Sequence, residues 1–142
     1  MAGMVQAVSQ VMTENPVILQ ANDTLVEAAR KMRDEGIGDV LVMREGALCG
    51  IVTDRDITVR ATADGKDPNQ VKLFDICSQQ MITIAAESPV SEAVSLMRSK
   101  ALRRLPVVQG DKPVGIVSIG DLAVELDEKS VLASISAAKP ND

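Results

Sequence analysis

Thr53 and Asp56 stand three residues apart in GIVTDRDI (residues 50–57), and Ser118 and Asp121 repeat the arrangement in GIVSIGDL (115–122). In both phrases a β-prone aliphatic run gives way to a helical pattern, so each pair falls where a strand ends and a helix begins. Two kinds of chemistry fit a hydroxyl and a carboxylate at that spacing. One is structural: a hydroxyl residue followed three positions later by an acid is the pattern of a capping box, worth about 1 kcal/mol of helix stability. The other is recognition. The N–H groups of a helix start favour a phosphate, the hydroxyl adds a hydrogen bond, and a carboxylate accepts from the two hydroxyls of a ribose. Phosphate and ribose adjoin in a nucleotide, so both groups suit one ligand. Gly50 and Gly115 either admit close backbone approach or relieve a strand bend. Spacing alone leaves both readings open.

The phrase occurs twice because the unit that carries it occurs twice. Residues 11–57 fall on 76–122 without a gap, with identities that include Glu27/Glu92, Ala28/Ala93, Met32/Met97, Arg33/Arg98, Val42/Val107, Gly50/Gly115 and Asp56/Asp121. A gapless match of that length signals internal duplication. Each copy reads as β-α-β-β-α. PVIL (16–19) and MITI (81–84) are short strands. Helices follow, with Asp23 and Ser88 placed as N-caps, Pro89 at the first helical position and Gly36 as a stop. Leu25, Ala28, Ala29 and Met32 form an apolar stripe matched by Val90, Ala93, Val94 and Met97, and core packing accounts for both. Strand pairs DVLVM/CGIVT and LPVV/VGIVS are joined by the turns REGAL and QGDKP. Second helices start at Arg55 and Gly120, the first ending near Gly65. ADGKDPNQVK is rich in turn formers and reads as a linker. The expected division is 1–62, first repeat; 63–72, linker; 73–142, second repeat. Units this small bury little surface alone, so the two copies are expected to form one pseudo-symmetric domain with equivalent clefts.

Composition narrows the function. The chain has 142 residues, 46% hydrophobic but 1% aromatic, so its core is aliphatic and stacking on exposed bases has little material. A net charge of −5 with no long basic block argues against nucleic-acid binding. No run reaches the roughly 18 apolar residues of a membrane span, the first residues lack a signal-peptide pattern, and Cys49 and Cys77 are too few for a disulfide framework or zinc site. The expected setting is a reducing cytoplasm. Histidine is absent, which removes the commonest general base and metal ligand. No nucleophile–base pair, metal cluster or glycine-rich loop is evident, so the chain is not read as an enzyme. Cys49, in a strand, reads as buried and inert; Cys77, in FDICSQQM, falls in a turn or short helix.

GIVTDRD and GIVSIGD resemble the signature of CBS domains, Gly-hydrophobic-x-[Ser/Thr]-x-x-Asp. NPVIL, the Asp-Thr-Leu helix start, EAARKM and LRRLPVV are similar to the same pattern, over essentially residues 8–125 in both copies. The chain resembles a stand-alone CBS-domain pair, or Bateman module, and TDRDITVRATADGKDPN is similar to small actinobacterial CBS pairs of the hypoxic-response type. The resemblance implies an α+β fold of tandem β-α-β-β-α repeats with pseudo-two-fold symmetry. It also implies an adenosine-type ligand (AMP, ADP, ATP or S-adenosylmethionine, sometimes an NAD-like molecule); for want of histidine and of a cysteine cluster, no metal is expected. By position, Asp56 and Asp121 would hold ribose, and Thr53 and Ser118 phosphate or ribose. Val17, Ile18, Thr83 and Ile84 would line adenine, unless Val17, Ile18 and Ile84 are core.

The copies differ beside the expected cleft. Arg103 and Arg104 in the second stand where the first has Gly38 and Asp39. Adjacent arginines suit bidentate phosphate contact, with solvated surface arginines the alternative. Arg55 adds charge in the first copy; Arg60 reads as exposed. One phosphate-competent site and one weaker site are therefore expected. Function is expected to be regulatory: a nucleotide sensor acting as a homodimer or on an unidentified protein partner, with no nucleic acid or membrane involved. The alternative is a ligand-independent interaction module whose hydroxyl–acid pairs only cap helices.

Overall fold

The computed structural model describes residues 6–77 and 81–126. The fold is α+β, and each repeat forms its own aliphatic core.

In the first repeat, β2 (Ile18–Gln20) runs parallel to β3 (Asp39–Arg44), which pairs antiparallel with β4 (Ala47–Thr53). Between β2 and β3 lies α1 (Leu25–Glu35). Its N-cap is Thr24, whose Oγ1 accepts from the Glu27 amide at 3.4 Å. The expected cap, Asp23, is displaced by one residue because its carboxylate instead accepts from the Gln20 amide at 2.8 Å and closes the preceding turn. Gly36 ends the helix at φ 66°, the left-handed conformation that suits glycine. Leu25, Ala28 and Met32 are buried as the stripe predicts, but Ala29 is exposed, so the apolar face is narrower than expected. Glu45 (φ 53°) and Gly46 (φ 81°) form the two-residue turn between β3 and β4. Beyond β4 the chain enters α2 (Asp54–Asp56), which widens into a π-helical segment, Ile57–Thr62.

The second repeat follows suit. Strand β5 (Ile84–Ala85) is parallel to β6 (Arg104–Gln109), which is antiparallel to β7 (Lys112–Ser118). Helix α4 (Val90–Lys100) has Pro89 at its N-cap in place of the expected Ser88, so it begins one residue later than expected, and Ala101 takes the left-handed stop (φ 55°) where the first repeat has glycine. Helix α5 (Ile119–Leu126) follows β7 directly. The remainder of the expected second helix lies outside the described residues.

Compact units do not coincide with the linear division 1–62, 63–72 and 73–142. Pro16–Met81 form one unit, and residues 6–15 join those from Ile82 onward in the other. The reasons are local. Strand β1 (Thr13–Glu14) pairs antiparallel with β7, extending that sheet to β1-β7-β6-β5, and Val8 lies in the second core. Helix α3 (Leu73–Ile76), in turn, buries Leu73 and Ile76 in the first core. The β1–β7 pairing also explains Gly115: a Cβ there would overlap Met12 Sδ and lie 2.8 Å from the Thr13 carbonyl oxygen.

Both hairpins carry a β-bulge at the matching place. Val42 pairs with Gly50 and Met43 with Leu48, leaving Cys49 as the extra residue; Val107 pairs with Gly115 and Val108 with Pro113, leaving Val114.

Candidate functional site

Topology gathers most of the candidate residues at one end of each sheet. In the first repeat the start of β2 lies beside the start of β3, and Asp39 at the start of β3 pairs with Thr53 at the end of β4. Val17, Ile18, Asp39, Thr53 and Asp56 are thereby brought near one edge, and the Val17 carbonyl accepts from the Leu41 amide at 2.9 Å. The second repeat places Thr83, Arg103, Arg104, Ser118 and Asp121 likewise, with Arg104 paired to Ser118. Backbone links fix each turn: Asp54 N donates to Gly38 O, and Ile119 N to Arg103 O, both at 2.9 Å.

The apolar candidates separate. Ile18 is 41% exposed, whereas Ile84 is 2% exposed and belongs to the second core. Val17 is half-buried against the first core, and Thr83 is half-buried. In the 65-residue register Ile18 matches Thr83, and Ile84 matches Leu19, which explains why Ile84 turns inward.

Both hydroxyl–carboxylate pairs form capping boxes. Thr53 Oγ1 accepts from the Asp56 amide at 3.1 Å while Asp56 Oδ2 accepts from the Thr53 amide at 2.8 Å. Ser118 Oγ accepts from the Asp121 amide at 3.1 Å while Asp121 Oδ2 accepts from the Ser118 amide at 2.9 Å. This reciprocal closure does not exhaust the groups. A hydroxyl that accepts one bond still has its proton to donate, and a carboxylate that uses one oxygen keeps the other. Each turn therefore retains a donor and an acceptor on residues three apart, the pair that a phosphate and a ribose require.

The second oxygen distinguishes the repeats. Asp56 Oδ1 lies 3.8 Å from Arg60 Nε, and Arg60 Nη1 donates to the Ile76 carbonyl at 3.3 Å. Arg60, expected to be merely exposed, is thus tied at both ends of its guanidinium. The matching position in the second repeat is Glu125, and Asp121 Oδ1 has no partner among the described residues. Arg103 is exposed and Arg104 half-buried; Arg55 is exposed at the start of α2.

Cys49, expected to be buried, is half-buried at its bulge, while Cys77, just past α3, is 3% exposed. Cys77 belongs to the first core and Cys49 packs against that core, while Cys77 Sγ donates to the Phe74 carbonyl at 3.7 Å. Burial, with Cys49 alongside, pushes the Cys77 thiol up to about 11. Their proximity carries no local sequence signal, because it depends on α3 packing against β4. Among the described residues no three histidine, cysteine, aspartate or glutamate side chains cluster to hold a metal, and no helix is long and apolar enough to cross a membrane.

Comparison with known proteins gives this geometry a context. An uncharacterized protein of Methanopyrus kandleri is 39% identical over 118 residues, covering 82% of this chain and 60% of that one. Hypoxic response protein 1 of Mycobacterium tuberculosis is 31% identical over 117 residues, 82% of each chain. A crystal structure of hypoxic response protein I with two coordinated zinc ions superposes with a TM-score of 0.74 at 28% identity, covering 83% of this chain and 97% of that one. The CBS-domain pair of protein MJ0100, in complex with 5′-methylthioadenosine and S-adenosyl-L-methionine, gives a TM-score of 0.79 at 26% identity, covering 89% and 100%. Residues 8–61 and 73–128 each match the CBS domain, so the chain belongs to the CBS-domain family and carries two such domains in tandem.

Proposed function

We propose that this chain is a regulatory module that takes an adenosine-type ligand (AMP, ADP, ATP or S-adenosylmethionine) at the strand-to-helix turn of its second repeat. The observation that carries the reading is the unspent chemistry of that turn. After its capping box closes, Ser118 keeps a proton to donate and Asp121 keeps one oxygen to accept, with Arg104 paired beside them. Ribose takes the carboxylate oxygen, phosphate takes the hydroxyl and the arginines Arg103 and Arg104, and Thr83 faces the base. The first repeat is the weaker site, since Arg60 already engages Asp56. Binding of methylthioadenosine and S-adenosylmethionine by the MJ0100 pair supports the ligand class.

Isothermal titration with AMP, ADP, ATP, S-adenosylmethionine and NAD tests the proposal. Saturable heat with at least one, lost in Arg104→Ala, is expected. No heat with any of them favours the second reading, an interaction module, for which the complete capping boxes speak: their residues already have a structural role. In either case the partner is a second copy or another protein. Val59 and Ile119 are exposed apolar side chains on the second helices, suited to a homodimer that sedimentation analysis will detect.

A further inference from the structure

The first repeat carries a groove of about 370 Å³, walled by α1, by the π-helical segment and by the chain that follows it. That volume lies within the range of small-molecule sites. Its floor is aliphatic: Leu25, Val26, Ala29 and Ile57. Its rim is cationic, with Arg30 and Arg33 one turn apart on α1 and Lys66 on the chain beyond the π-helical segment.

Local structure puts these groups there. The widened helix keeps five-residue bonding to its end: Ala63 N donates to Thr58 O at 2.9 Å and Lys66 N to Ala61 O at 3.0 Å. Wide turns of this kind recur at functional sites. Gly65, at φ 69°, lets the chain leave the helix and cross the start of α1. There Val26 N donates to Pro68 O at 3.1 Å and Leu25 N to Val71 O at 3.0 Å, so Pro68 closes one end of the groove.

Charge says what the groove accepts. Lys31 pairs with Glu35 at 3.9 Å and Arg33 with Asp34 at 2.8 Å, but Arg30 and Lys66 have no ion pair among the described residues. No carboxylate and no aromatic ring stands among the described residues that line the groove. The duplicate does not repeat the combination: Ser91 and Ser95 stand where the first repeat has Val26 and Arg30. Packing common to both repeats therefore does not account for it.

We propose that this groove binds a fatty acid, its carboxylate held at the rim by Arg30 and Lys66 and its aliphatic chain laid along the floor from Leu25 to Ile57. Arginine suits the head because its planar fork matches a carboxylate. The aliphatic floor suits a saturated tail, which leaves water on binding. A partner helix would need a groove open at both ends, and Pro68 blocks one. The site lies wholly within the unit Pro16–Met81, apart from the strand-to-helix turn of the second repeat, and does not depend on nucleotide binding there.

The test titrates the full chain calorimetrically with dodecanoate below its micellar concentration. One saturable site per chain is expected. Dodecanol, which lacks the charge, and acetate, which lacks the tail, should each bind about tenfold or more weakly. Arg30→Ala and Lys66→Ala should each weaken dodecanoate binding about threefold to fivefold with unchanged Tm, because both side chains are exposed. Ala29→Glu, a helix-compatible change at an exposed position, should abolish binding, whereas Arg98→Ala on the matching helix of the second repeat should leave it intact. Equal affinity for dodecanol, or dodecanoate binding untouched when Arg30 and Lys66 are both replaced, overturns the carboxylate site. No uptake of dodecanoate by a wild-type dimer that Ala29→Glu converts to monomers, read by sedimentation, overturns it too, since a second copy then covers the groove.

Discussion

Replacing Asp121 separates its duty to the helix from its duty to a ligand. Asp121→Ala removes the acceptor of the Ser118 amide, a half-buried, charge-assisted bond of 2.9 Å, and takes an anion from the first turn of α5. Together these are worth about 1.5 kcal/mol. For a chain of this length the unfolding entropy makes that a fall of about 5 °C in Tm. Asp121→Asn keeps an amide oxygen where Oδ2 was, so the Ser118 amide stays bonded and only the charge is lost, about 0.5 kcal/mol or 2 °C. The ligand sees a different ranking. A ribose hydroxyl donating to a carboxylate gains roughly 1.5–3 kcal/mol, so Asp121→Asn should weaken AMP binding about tenfold or more despite its small thermal cost. Scanning calorimetry of the three proteins, alone and with AMP, reads both effects. If Asp121→Asn keeps the wild-type AMP-induced shift in Tm, the carboxylate does not hold the ribose. If Asp121→Ala melts with the wild type, the capping argument itself is wrong.

Other substitutions test the fold that positions the site. Ala101 at φ 55° carries the strain that glycine avoids at Gly36, so Ala101→Gly should stabilise by about 0.5–1 kcal/mol and Gly36→Ala should destabilise by about 1 kcal/mol, measured by urea unfolding. Gly115→Ala forces a methyl group against Met12 and the Thr13 carbonyl; separating β1 from β7 should cost about 2 kcal/mol or more, with exchange of β1 amides as the local readout. High pH should loosen the first repeat. Burial pushes the Cys77 thiol up to about 11 from its ordinary 9.0, so its contribution is intact below pH 9 and is lost as pH rises from 9 towards 11. That displacement sets a ceiling of about 2.7 kcal/mol, which solvent screening reduces to about 1–2 kcal/mol. Urea midpoints of the reduced protein at pH 8 and pH 10.5 should show the drop, and Cys77→Ala should flatten it.

Periodicity made the repeated β-α-β-β-α order legible, because each strand and helix advertises one buried face. Glycines marked the turns at Gly36 and Gly46 for the same local reason: left-handed backbone selects them. Spacing offered the hydroxyl–carboxylate pairs as capping boxes but left ligand recognition equally open, and the reciprocal bonds at Thr53/Asp56 and Ser118/Asp121 supply the caps. Boundaries were harder. Asp23 and Thr24 both offer a cap, and only the turn at Gln20 decides which carboxylate or hydroxyl is taken. What sequence did not reveal was long-range. Nothing near Thr13 announces β7, nothing near Arg60 announces the Ile76 carbonyl, and the distance from Cys49 to Cys77 in sequence conceals the core they share. These pairings rest on complementary surfaces brought together by packing, for which neither propensity nor spacing carries a signal.

The pairing of Thr13 with Ile116 gives the chain a telescoped assembly order. On a translating ribosome Pro16–Met81 emerges whole and can settle at once, while the segment ahead of it waits for a partner about a hundred residues downstream. One CBS repeat is, in effect, spliced into the other as an insert. Scissors applied at the linker would consequently free no pair of autonomous halves: one fragment would trail an orphan strand, and its counterpart would lack the edge that β1 supplies.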